Sequence, residues 1–106
     1  MEHEKTGTVV AGKDEHGNSL TQVSVPKGVV VDQLGTVYVV DDGNNRVMRW
    51  FKEATQGSVI VGGNGEGEQL NQLKGPVGLS FDRDGNLYVV DYGNNRVQKF
   101  NIKSNK

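Results

Sequence analysis

Asp41-Asp42-Gly43-Asn44-Asn45-Arg46 is the most site-like polar group in the 106-residue sequence, and Asp91-Tyr92-Gly93-Asn94-Asn95-Arg96 restates it 50 positions later. A carboxylate and a guanidinium flanking two asparagines can pair across a tight turn, because asparagine tolerates left-handed backbone and bonds locally. The same groups could meet a cation or a polar ligand. Both copies carry the set, and catalysis rarely needs one site per repeat, so Asp41, Arg46, Asp91 and Arg96 are assigned to structural turns. Around them, His16, Asp42, Asn44, Asn45, Asn64, Glu66, Tyr92, Asn94 and Asn95 form a candidate binding set on loops. With Lys13, Asp14, Glu15 and Glu68 nearby, that surface is mildly acidic, which suits a cation, a polar ligand or a basic peptide better than phosphate.

Other chemical patterns are weaker. Asp82-Arg83-Asp84-Gly85-Asn86 opens like a calcium loop, but Leu87 and Gly93 stand where that loop needs a glycine and a glutamate, and Leu34 replaces Asp84 in the first copy. Asp32 and Asp82 are read as hairpin residues. The run from Gly62 to Gly67 has no Lys-Ser/Thr after it and no helix to follow, so it reads as a flexible crossing rather than a phosphate loop. His3 and His16 do not recur in the second copy, and no histidine cluster marks a metal centre. The serines lack the setting of an activated nucleophile. No catalytic residue, resident metal or cofactor is assigned.

These groups must be positioned by strands. Residues 7–52 and 57–102 align without a gap and share 19 of 46 positions, mostly turn formers and strand residues. Each copy reads as short strands and turns with no helical periodicity. In the first, strands are expected over 28–32, 36–41, 46–51 and 57–61, the third with an alternation that fits partial solvation. In the second they fall at 78–82, 86–91 and 96–102, with no fourth expected. Residues 7–11 match 57–61 and are expected to be a fourth-type strand at the front of the chain. Val29-Val30-Val31 and Val37-Tyr38-Val39-Val40 are apolar on both sides, so both sheet faces should be covered. Tyr38, Tyr88, Trp50 and Phe100 are packing residues on this reading. Repeated four-stranded meanders stacked face to face are β-propeller blades.

Composition sets outer bounds. The chain has no cysteine, 34% hydrophobic residues and 15 glycines, which suits a globular chain without disulfides. Twelve basic against thirteen acidic residues speak against nucleic acid as a partner. No apolar run is long enough for a membrane span or a signal peptide, and the compartment is left open.

From Pro26 to Val47, and again from Pro76 to Val97, the pattern P-x-G-hydrophobic-x-x-D-x-x-G-x-hydrophobic-Y-V-x-D-x-x-N-x-R-hydrophobic resembles the NHL repeat family. The resemblance implies an all-β propeller of six blades. It also implies a group that includes RNA-binding, partner-binding and metal-dependent enzyme members. The departure is copy number, since only two blades are present. The reading is a leader (1–6), one blade (7–56) and a second (57–106), with 57–61 completing the first blade and 7–11 completing a blade of another chain. Head-to-tail joining of this kind closes a cyclic homo-oligomer, with three chains giving six blades, and two or four chains giving four or eight. The expected function is a non-enzymatic ring scaffold that binds protein or peptide, whether natural, excised or engineered. The alternatives are a lyase- or lactonase-like enzyme with an axial metal, and an RNA-binding module.

Overall fold

The computed structural model describes residues 6–12, 19–20 and 22–102. Seven strands form two antiparallel meanders: β1 (Pro26–Val31), β2 (Val37–Asp41), β3 (Arg46–Trp50) and β4 (Ser58–Gly62), then β5 (Pro76–Phe81), β6 (Leu87–Asp91) and β7 (Arg96–Phe100). Register repeats between the two sheets. Val39 stands opposite Val29 and Met48, and Val89 opposite Leu79 and Gln98.

The β1–β2 hairpin shows why the first strand ends where it does. Asp32 leaves the ladder, its Oδ1 accepting the amides of Leu34 and Thr36 at 2.9 Å each, while Gly35 takes φ 86°. The strand therefore covers 26–31 rather than the expected 28–32. The fourth strand begins at Ser58, not at residue 57, where the amide donates to the Leu20 carbonyl at 2.8 Å instead of to β3; a Cβ on Gly57 would also come within 2.8 Å of the Trp50 indole. Residues 42–44 and 92–94 wind into single 3-10 turns closed by Asn45 and Asn95 in the left-handed region, φ 50° and 53°. Residues 7–11, expected as a strand, lie along the first sheet without strand pairing; Ala11 packs against its far face, and Val9 is 80% exposed. A strand is stabilised by a neighbouring ladder, and none of the described residues supplies one here.

The two sheets pack face to face. Tyr38, Val40 and Val47 of the first meet Leu87 and Val89 of the second, with Val61, Leu73 and Ile102 sealing the layer. Tyr38 meets Phe81 edge to face, ring centroids 4.9 Å apart and planes at 84°. On the far side of the first sheet, Val37, Val39, Met48 and Trp50 form a second cluster joined by Ala11 and Val23. The third strand is thus buried on both faces, against the expected partial solvation, because the second sheet covers one side and Ala11 and Val23 pack against the other. Coverage of the first strand is uneven, with Val29 and Val31 exposed.

Candidate functional site

Both Asp–Arg sets close the same latch. The last residue of β2 and the first of β3 face each other, and Arg46 Nε donates to Asp41 Oδ2 at 2.9 Å inside the fold. Arg46 Nη2 then reaches the carbonyls of Ser19 and Gln22 at 3.1 and 3.0 Å, while Asp41 Oδ1 accepts the amides of Ser24 and Val25. One ion pair therefore clamps the crossing that leads into the blade. In the second copy, Arg96 pairs with Asp91 at 2.9 Å and donates to the carbonyls of Glu68, Gln69 and Gln72, and Asp91 accepts the amide of Lys74. Gly93 belongs to the same device. Its amide donates to the Lys74 carbonyl at 2.7 Å, and any Cβ at this position would collide with that oxygen.

Most of the candidate loop residues serve these crossings. Asn44 and Asn94 each donate to the latch aspartate at 2.8 Å, and Asn94 also to the Gly67 carbonyl. Asn45 Oδ1 accepts the amide of Gly75 at 2.9 Å, which ties the first blade to the crossing into the second. Asn64 bridges its own loop through the Asn71 carbonyl and the Gln72 side chain, and Glu66 forms a parallel bridge with Leu73. Asp42 lies 3.6 Å from the Lys27 ammonium. Tyr92 and Asn95 are exposed on the same end of the molecule. His16, with Lys13, Asp14 and Glu15, lies outside the described residues. Asp42, Asn45, Tyr92 and the crossing residues thus share one end, where the Asn44, Asn45, Asn64 and Asn94 side chains are engaged with turns and crossings, Asp42 faces Lys27, and Tyr92 is exposed.

A recess lies at the opposite end, where the hairpins are. A cleft of about 600 Å3 opens between the blades, lined by Tyr38, Arg49 and Phe51 on one side and by Phe81, Arg83 and Ile102 on the other. Asp32 and Asp82 stand at its rim, each turned into its own hairpin. Asp82 accepts the amides of Asp84 and Asn86, the Asn86 side-chain amide and the Tyr88 hydroxyl. The Asn86 side chain, then its backbone amide, holds the Asp82 carboxyl down at about 2, against an ordinary 3.8. Burial pushes the Tyr38 phenol up, so it remains a neutral hydroxyl. Among the described residues no three His, Asp or Glu side chains converge as metal ligands. Arg49 and Phe51 were not among the sequence candidates. Strand alternation could have found Arg49, since it shares a face of β3 with Val47, but that this face meets a second blade is a tertiary fact.

The NHL repeat matches at residues 24–49 and 73–100, just over half of the chain, and the chain belongs to the NHL repeat family. No curated protein matches it. Among solved structures, an auxiliary nutrient binding protein from Bacteroides thetaiotaomicron is similar over 87% of this chain, with TM-score 0.66 and 15% identity. At that identity the likeness carries the fold, a β-propeller. The chain spans 28% of that protein's length. No helix among the described residues is long and apolar enough to cross a membrane.

Proposed function

We propose that the chain is a non-enzymatic propeller unit that closes into a ring by joining copies of itself, three copies completing six blades, and that the ring is a scaffold for protein or peptide binding. One observation carries the reading. Val40 and Val47 are fully buried by the second blade, whereas their repeats Val90 and Val97 are 38% and 61% exposed on a matching face. That face has the residues of a blade interface without a blade against it.

A second copy offers the complement. Residues 8–11, the exposed Val29 and the outer edges of the buried Val37 and Val39 line an apolar groove of about 550 Å3. In the first blade, β3 pairs with β4 so that Val47 opposes Val61 and Met48 opposes Val59. Transferred by 50 residues, Val97 would oppose Ala11 of the next copy, and Gln98 its Val9. Gly12 already has φ 83°, close to the 76° of Gly62 that ends β4. The crossing end, with exposed Tyr92, Asn95 and Glu66, supplies the scaffold's binding face.

The mass in solution tests the reading. Light scattering is expected to give three times the 11.5 kDa chain. A monodisperse mass of one chain across the accessible concentration range overturns self-assembly.

A further inference from the structure

The cleft at the hairpin end is built within one chain and is independent of ring closure. Its volume of about 600 Å3 lies within the usual range for small-molecule sites, roughly 300–1,000 Å3. Its walls are apolar where Phe81, Ile102 and Phe51 stand, and one cation faces into it. The Arg49 guanidinium carbon lies over the Phe51 ring, 4.9 Å from its centroid. Its Nε is buried and has no hydrogen-bond partner, while the side chain also interacts with the Tyr38 hydroxyl. A buried donor left in that state costs free energy that an incoming acceptor would recover.

No carboxylate of the described residues forms an ion pair with Arg49. The rim aspartates are committed elsewhere. Asp32 takes the amides of Leu34 and Thr36 and the Tyr38 hydroxyl, and Asp82 is held by its own hairpin. Arg83 adds a second, exposed cation at the mouth. The feature belongs to this seam alone, since Lys99 and Asn101 occupy the positions of Arg49 and Phe51 in the second repeat. A lysine there cannot present a planar fork stacked on an aromatic ring.

We propose that this cleft binds a small organic carboxylate with a flat apolar body, one per chain, its carboxylate on the Arg49 guanidinium and its body against Phe81 and Ile102. Planar recognition of a carboxylate by a stacked guanidinium is the chemistry the site is shaped for. The test is calorimetric titration of the purified chain with 3-phenylpropionate and with its neutral amide, 3-phenylpropionamide. The carboxylate is expected to bind with one site per chain and at least about tenfold more tightly than the amide. Arg49→Met, which keeps an apolar stem over Phe51, is expected to remove that preference, while Arg83→Met retains it. Absence of saturable carboxylate binding, equal affinity for the amide, or an unchanged preference in Arg49→Met overturns the proposal. If Arg49→Met does not fold, the carboxylate-to-amide comparison on the unaltered chain decides alone. Because the site needs no second copy, its outcome is independent of the mass measurement.

Discussion

At the residue scale, Asp82 shows how a side chain that looks like a ligand becomes part of the backbone's own wiring. Four donors converge on its two oxygens, so the ionised form is favoured in the fold and its carboxyl sits at about 2 rather than 3.8. The sign follows from linkage. A depressed folded value adds stability that is fully present above about 3.8 and is lost as pH falls toward 2. Acid unfolding followed by circular dichroism is therefore expected to show a stability loss across that window. Asp82→Asn should flatten this part of the profile, and an unaltered profile in the variant would remove Asp82 as its source. The residue's role in shaping a hairpin was legible from Asp-x-x-Gly. The direction and number of its bonds were not, because they depend on Asn86 and Tyr88 being brought alongside by the turn and by the β6 ladder.

At the scale of elements, each blade is joined to its crossing by the Asp–Arg latch, and the two latches differ in burial. The Asp41 and Arg46 side chains are almost wholly enclosed, while Arg96 keeps about a quarter of its side-chain surface in water, at 24%. Removing one partner of an enclosed pair leaves a charge without compensation, at a cost of about 3–5 kcal/mol. Each variant leaves a fully enclosed aspartate, but the space vacated by Arg96 opens to water, so Arg46→Ala is expected to destabilise the chain by about that much in urea unfolding and Arg96→Ala by clearly less, roughly 1–2 kcal/mol. Equal losses would mean that the latches are not distinguished by burial. The pairing of Asp41 with Arg46 could be read from their positions on either side of a turn. The capture of the Ser19 and Gln22 carbonyls by the same guanidinium could not, because it depends on a crossing 24 to 27 residues away folding back over the turn.

At the scale of the whole molecule, the two copies are nearly the same object in different surroundings. Val47 is enclosed and Val97 is 61% exposed although the local sequence and register around them repeat. If the exposed face meets a second copy, Val97→Glu should lower the solution mass to that of one chain while leaving the β-sheet spectrum intact, since a charge on a desolvated face opposes docking but is tolerated in water. Retention of the assembled mass by Val97→Glu would take that face out of the contact.

The sequence by itself determined the strand and turn plan, the 50-residue period and the NHL repeat membership, because turn glycines, latch residues and valine-rich strands are local requirements that recur in both copies. It also placed the loop candidates at the end where the crossings run. Only the tertiary structure decided that Asn44, Asn45, Asn64 and Asn94 are spent on holding the turns and crossings, that β3 is enclosed on both faces, and that Arg49 faces a cleft between blades. The physical reason is that alternation along a strand fixes which residues share a face, while burial, pairing and the space left over are set by whatever packs against it.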